Sequence, residues 1–301
     1  MRQNLLTELR AGIIGMSEGN GHPYSWAAIC NGYEPAEMEN CPFLGIPAYL
    51  NKQTWPSDRL YGIKVTHIWT QDPLISESVS RASFIPNIVN HYTDLAEFAD
   101  IILLARDDAE FHVEMTSGFL KKGMHVFIDK PFALSMVDAK KMLDQQRTAH
   151  QIFTCSSLRY AYEILLTKQD LLATGSIIHI NARSPKYWKT YGVHLIEPII
   201  KQFPERGELI SVQKSFVEGF EIVIINWQNL SAELILTGVV NSSISFEYIG
   251  TENKVEKIFV DSFSCFKKSL EEFLRQIRIE ENVINRDETL EVVHILEKGL
   301  I

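Results

Sequence analysis

The 301-residue chain is poor in cysteine, carries no excess of positive charge and has no long apolar run. Its four cysteines, Cys30, Cys41, Cys155 and Cys265, are scattered and form no Cys-x-x-Cys pair. That argues against a zinc ribbon or a disulfide framework and suits a reducing cytosol. Lys and Arg number 29 against 38 Asp and Glu, a formal net charge of -9. An acidic chain without a basic stripe repels phosphate backbones, so nucleic acid is not an expected partner. No apolar run reaches the roughly 18 residues that a membrane span needs. The first ten residues, MRQNLLTELR, are too polar for a signal peptide. The expectation is a cytoplasmic protein that touches neither nucleic acid nor membrane. The histidines show no metal-ligand spacing, and no metal is expected. Internal repeats and low-complexity tracts are also missing.

What remains is a globular composition, 46% hydrophobic and 22% charged, long enough for two domains. The first half alternates short apolar strands (residues 11–15, 65–69, 100–105 and 126–128) with helix-like stretches. The helix over 111–122 stops at Gly123, and another opens at Ser135 with Asp138 three residues on. Such alternation builds parallel βαβ units and a doubly wound sheet. Residues 33–62, rich in Pro, Asn and Tyr, read as an ordered insertion that shapes the site or an oligomer contact. In the second half, strands follow one another at 176–184, 209–216, 221–228, 232–237, 243–248 and 255–260, with short turns at Glu218-Gly219, Gln228-Asn229 and Gly250-Thr251. That pattern predicts a large, mostly antiparallel sheet. The expected fold is therefore an α/β Rossmann domain over residues 1–133, followed by an α+β domain over 134–301 for substrate binding and oligomerisation.

Four segments carry candidate chemistry. GIIGMSEGNGH (12–22) is a strand running into a glycine loop. DIILLARDDAEFH (100–112) is a buried strand and a loop ending in histidine. KKGMHVFIDKPFA (121–133) passes through a buried strand into Asp129-Lys130-Pro131. YGVHLIEPI (191–199) sets His194 on a helix. In this order, and with SLEEFLRQI at 269–277, they resemble the Gfo/Idh/MocA family, the glucose-fructose oxidoreductase and inositol dehydrogenase-like proteins. The resemblance spans nearly the whole chain, and the third segment is the most specific.

The resemblance implies an NAD- or NADP-binding first domain. Its cofactor set falls here on Gly15, Ser17, Gly19, Asn20, Thr70, Gln71, Ala105, His112, Asp129 and Lys130. A pyrophosphate is held where unpaired N–H groups and the helix dipole favour negative charge. The loop departs from the family: Ser17 stands where a second glycine is expected, and Gly19 and Gly21 flank Asn20. Thr70-Gln71 occupies the place where NAD-binding members carry an acidic residue and NADP-preferring members often Ser-Arg, so the choice of cofactor stays open. Asp129 is a shorter version of the family's glutamate, and Lys130 would stabilise negative charge on a substrate oxygen. The family usually has a cis peptide before the proline.

His194 is the second implied catalytic residue, suited to proton transfer near neutral pH. The family's aspartate four residues earlier is Thr190 here, which cannot be a base. Glu197, one helical turn beyond, would hold the imidazole or bind substrate. Arg159, Tyr160, Tyr187, Trp188, Thr190 and Tyr191 complete the implied substrate set. His22 and His112 line loops at the nucleotide edge, and no chemistry is assigned to either. Each signal has a plainer reading: an unliganded turn, an exposed Lys-Pro turn, a satisfied helix histidine, an aromatic surface loop.

The leading expectation is an oxidoreductase that moves hydride between a nicotinamide and a hydroxyl or carbonyl of a sugar, polyol or nucleotide-sugar. The alternatives are a catalytically silent nucleotide- or sugar-binding protein and an NAD-dependent glycoside-cleaving enzyme. The apolar strands at 221–228 and 232–237 suggest a sheet face covered by a second copy, giving a homodimer or homotetramer.

Overall fold

The computed structural model describes residues 8–301; the rest of the polar N-terminal stretch, residues 1–7, lies outside it. The chain divides into two compact units. The first takes residues up to 133 together with 137–155 and 266–285; the second takes 134–136, 156–265 and 286–301. A single boundary after residue 133 therefore does not describe the division.

In the first unit, β1 (Leu9–Ile14), β2 (Ile63–Trp69), β3 (Asn87–Ile88), β4 (Ile101–Leu104), β5 (His125–Ile128) and β6 (Ile152–Thr154) form one sheet. Its order is β3-β2-β1-β4-β5-β6, and every pairing is parallel. β4 is buried along its whole length, as expected of a strand covered on both faces. The helices are α1 (His22–Asn31), α2 (Pro35–Met38), α3 (Gly45–Leu50), α4 (Pro73–Ala82), α5 (Leu95–Phe98), α6 (His112–Lys122) and α7 (Met136–Asp144). Local chemistry sets their ends. Asp72 caps α4 by accepting from the Leu74 N–H ahead of Pro73, and Gly123 closes α6 in the left-handed region at φ 85°. The order of connection reverses between β1 and β4, which places a crevice outside their carboxyl ends, where ligands of such sheets bind.

The insertion at 33–62 is ordered around α2 and α3. It packs on the first turn of α1: a Cβ at Gly21 would come within 2.5 Å of the Phe43 ring and 2.6 Å of Ile46. Gly21 is thus required by packing. Likewise, a Cβ at Gly15 would meet Pro23 at 2.3 Å.

The second unit contains α8 (Lys168–Thr174), β7 (Ile177–Ser184), α9 (Trp188–Gln202), β8 (Leu209–Val217), β9 (Phe220–Trp227), β10 (Ser231–Leu236), β11 (Ser245–Gly250), β12 (Lys254–Ile258) and α11 (Arg286–Lys298). The sheet order is β12-β11-β7-β10-β9-β8, and only the β7–β10 pairing is parallel. Glu218 and Gly219 both have positive φ, as a two-residue hairpin turn between β8 and β9 needs. Val223, Ile225, Leu234, Phe246 and Tyr248 point into a core shared with Trp188, Leu195 and Ile199 of α9.

The remaining helix, α10 (Ser262–Ile279), starts in the second unit, and its residues from Phe266 onward belong to the first. There Phe273 packs on Phe127 and Phe153, and Gln276 donates to the carbonyl of Ile152 in β6. This packing explains why residues beyond 133 join the first unit. Among the described residues no helix is long and apolar enough to cross a membrane, and all four cysteines are buried and unbridged.

Phe127 is 1% exposed and touches Trp26, Phe153 and Phe273. Phe127→Ala is expected to destabilise the first unit by about 3–5 kcal/mol, measured as a shift in its urea transition.

Candidate functional site

Three loops leave the carboxyl edge of the first sheet beside the crevice: 15–21 after β1, 105–108 after β4 and 129–131 after β5. Asp129 lies at their centre, 1% exposed. Its Oδ2 accepts from Asn20 Nδ2 at 2.8 Å and lies 2.5 Å from His22 Nδ1; its Oδ1 accepts from the Lys130 N–H at 2.7 Å. Burial alone would raise this carboxyl. The charges of His22 and Lys130, with the hydrogen bonds of His22 and Asn20, outweigh it and hold Asp129 below the ordinary carboxylate range.

Lys130 is 5% exposed, and its Nζ lies 3.2 Å from Asp107 Oδ2. Asp107 Oδ1 accepts from Ser17 Oγ at 2.5 Å, and Ser17 Oγ in turn accepts from the Asp107 N–H. Serine at the second glycine place therefore ties the β1 loop to the β4 loop. The Lys130–Pro131 peptide is cis.

At the ribose place, Thr70 is 3% exposed and its hydroxyl is engaged by the Asp72 carbonyl and Ser76 Oγ. Gln71 takes the Met16 N–H on its Oε1 at 2.9 Å and donates its amide to the Met16 carbonyl. Arg106 donates to Gln71 at 2.9 Å and pairs with Asp108. Ala105 is fully buried, its N–H on the Ile14 carbonyl. His112 is fully buried and spans the carbonyl oxygens of Arg106 and Phe132, joining the β4 and β5 loops. The structure thus gathers Ser17, Asn20, Asp129 and Lys130 into one cluster, and uses Thr70, Ala105 and His112 as internal braces.

The β1–α1 turn offers something further. Among the described residues, the backbone N–H groups of Ser17, Glu18, Gly19 and Gly21 donate to no protein acceptor. A Cβ at Gly19 would meet nothing within 4 Å, so the outer side of the turn is open. Unpaired donors at the start of a ten-residue helix with no acidic residue in its first turn fit the phosphates of a dinucleotide. At the ribose place Thr70 and Gln71 themselves carry neither a carboxylate nor a guanidinium to select between NAD and NADP, and Arg106 beside them is paired with Asp108.

The second unit holds the other candidates. His194, 7% exposed on α9, has Nδ1 2.7 Å from Ser156 Oγ, and the Tyr191 ring meets it edge-on. Lys186 lies over the Tyr191 ring, and Lys201 over that of Tyr160. Tyr187 is exposed, and Thr190 is half-buried. Three expected substrate contacts prove to be spoken for within the unit. Trp188 is fully buried in the core, its indole N–H donating to the Leu296 carbonyl at 2.9 Å. Arg159 and Glu197 pair with each other at 3.1 Å, both almost wholly buried, and Arg159 also pairs with Glu288. Burial would lower the Arg159 guanidinium, but Glu197 and Glu288 outweigh it and raise it. Burial pushes the Glu197 carboxyl up despite Arg159.

His22, Arg106 and Asp107 belong to the first-unit cluster, although no role was read for them from the sequence. The signal available was their position: Arg106 and Asp107 stand just after β4, and His22 opens the helix that follows the β1 loop. No group of three or more His, Cys, Asp or Glu among the described residues is arranged to hold a metal ion.

Arg159→Met leaves Glu197 buried without its cation, with an expected cost of about 3–5 kcal/mol near neutral pH by urea unfolding. A carboxyl raised above its unfolded value loses stability as pH rises through the folded value. The deficit is therefore expected to shrink as pH is lowered from 8 to 5, and an equal deficit across that range would contradict it.

Comparison with known proteins agrees with this fold. Residues 40–157 match the profile of a family described as "Oxidoreductase family, NAD-binding Rossmann fold". No curated protein matches the sequence. Among solved structures, myo-inositol 2-dehydrogenase from Lactobacillus plantarum aligns with a TM-score of 0.69 at 15% identity, covering 97% of this chain and 96% of its own. The apo scyllo-inositol dehydrogenase from Lactobacillus casei aligns at 0.68 and 14%, covering 98% and 96%. Biliverdin reductase from Synechocystis sp. PCC 6803, in complex with biliverdin and NADP+, aligns at 0.68 and 14%, covering 98% of both. At such identities the likeness is one of fold. By sequence over residues 40–157 and by fold over nearly its whole length, the chain resembles the Gfo/Idh/MocA oxidoreductases.

Proposed function

We propose that this protein is an NAD(P)-dependent oxidoreductase acting on a hydroxyl or carbonyl of a sugar-like small molecule, a polyol, sugar or nucleotide-sugar. The observation that carries the proposal is the run of unpaired N–H groups at Ser17, Glu18, Gly19 and Gly21, on the same sheet edge as Lys130. The fold of inositol dehydrogenases supports a polyol as the first substrate to try. Bound there, a nicotinamide would supply the acceptor or donor of a hydride.

The chain's own part is binding and charge. The turn would hold phosphates through its N–H groups, with the α1 dipole behind them. The Lys130 ammonium, held in place by Asp107, would polarise the substrate oxygen.

A second reading is a protein that binds a nucleotide without turnover. It is favoured by Lys130 being engaged by Asp107 and by Gln71 bracing Met16, contacts a productive complex would have to share or exchange. Titration with NADH and NADPH, followed by Trp fluorescence and energy transfer to the reduced ring, is the test. Binding of one or both is expected, and binding of neither by folded protein would sink the oxidoreductase reading. A screen of myo-inositol, other polyols, sugars and nucleotide-sugars follows. Lys130→Ala is expected to lower kcat by roughly 10²–10³-fold with nucleotide affinity little changed. Binding without turnover of any of them would favour the second reading.

The protein is further proposed to be a homodimer or homotetramer. The edge strand β8 exposes Ile210, Phe216 and Val217, and the face of β9 away from the core carries Ile222 and Ile224. Light scattering at micromolar concentration is expected to give a multiple of 34.4 kDa, reduced by Ile224→Lys.

A further inference from the structure

Moving a hydride from an alcohol releases a proton, and Thr190 cannot take it near neutral pH. The first unit contains a histidine arranged for that task. His22 opens α1, directly after the turn with the unpaired N–H groups. Asp129 accepts from Asn20 and from the Lys130 N–H, so the short contact at Nδ1 is a donation from the ring, which leaves Nε2 as the nitrogen that can take up or release a proton. Among the described residues Nε2 makes no hydrogen bond. It is also not one of the buried unpartnered atoms, and the side chain keeps 15% of its surface, so Nε2 meets solvent. The ring cannot turn freely: one face stacks on Trp26 at 5.2 Å and 15°, and Phe266 abuts it at 4.9 Å and 69°. A histidine held at one nitrogen by a buried carboxylate, with the other nitrogen outward, has the arrangement of a general base.

We propose that His22, oriented by Asp129, is the catalytic base that accepts the substrate hydroxyl proton, a role that the sequence resemblance gives to His194. The assignment rests on the oxidoreductase reading above. In the step, the substrate O–H bond breaks and an Nε2–H bond forms. The resulting imidazolium faces Asp129, and Lys130 steadies the oxygen. The electron pair of the adjacent C–H bond leaves with its hydrogen as hydride to the oxidised nicotinamide, and a carbonyl forms. Run backwards, His22 is the acid. The charged groups around the ring are Asp129 and, beside it, Lys130 with its partner Asp107; the α1 and α10 sides present Trp26 and Phe266.

A merely structural His22 would serve only to satisfy Asp129, and one variant separates the two roles. His22→Asn keeps an N–H donor near the Nδ1 place and removes Nε2. Its thermal midpoint and NADH affinity are expected to stay close to wild type, while turnover of the substrate found in the screen falls by roughly 10²–10⁴-fold and the acidic limb of the pH–rate profile is lost. Independently of turnover, 15N NMR of histidine-labelled protein, with His22→Asn identifying the signal, is expected to show Nδ1 protonated and Nε2 unprotonated at pH 8. Addition of NADH is expected to shift the Nε2 resonance. Failure of wild type to bind NADH and NADPH overturns the oxidoreductase reading and this assignment with it. Nucleotide binding together with a ring doubly protonated at pH 8, an Nε2 resonance indifferent to NADH, or turnover by His22→Asn within threefold of wild type overturns the assignment alone.

Discussion

A carboxylate taken out of water must be met by donors, and Asp129 is the buried charge around which the first unit's crevice is organised. It sits at the end of β5 and gathers Asn20 and His22 from the β1 side, while its neighbour Lys130 reaches Asp107 at the end of β4. Three strand ends are thereby fixed to one another by polar contacts at the margin of the apolar core, where His22 stacks on Trp26. Asn20 and His22, both from the glycine loop and the helix it opens, reach Asp129 at 2.8 and 2.5 Å.

The same economy explains why several polar residues near the crevice are not offered to a ligand. Thr70, Gln71, Arg106 and His112 saturate one another or nearby backbone. What they leave unsatisfied is backbone, the N–H groups of the β1–α1 turn, and backbone donors at a helix start favour phosphate whatever side chains surround them. Under the proposed reading, recognition of a nucleotide would rest on main-chain geometry, with Thr70 and Gln71 offering no charge to choose between the two nicotinamide dinucleotides.

In the second unit, the Arg159–Glu197–Glu288 group shows how a pattern that looks suited to a ligand can be internal. Cations and carboxylates on facing elements suit an anionic or hydroxylated ligand only if they are not already paired. Here the pairing is nearly complete and buried, and it links the segment after residue 156 to α9 and α11. Trp188 behaves likewise: its size and its single donor are both consumed by the core.

The doubly wound sheet, the antiparallel second sheet, the glycine loop and Asp129-Lys130-Pro131 were all legible in the chain, because hydrophobic period, turn residues and strand-end motifs are local signals. Three features were not. The return of residues 266–285 to the first unit depends on Phe273 and Gln276 finding Phe127, Phe153 and β6, contacts between segments more than 100 residues apart. The consumption of Arg159, Glu197 and Trp188 by their neighbours likewise needs the packed structure, since exposure and pairing are properties of the fold. The bond between His22 and Asp129, 107 residues apart, carries the largest consequence: sequence showed a histidine beside a loop, and only tertiary structure brought to it the carboxylate that fixes its tautomer. Sequence determined which residues stand at the ends of the strands. The order of the strands in the sheet decided which of those ends meet.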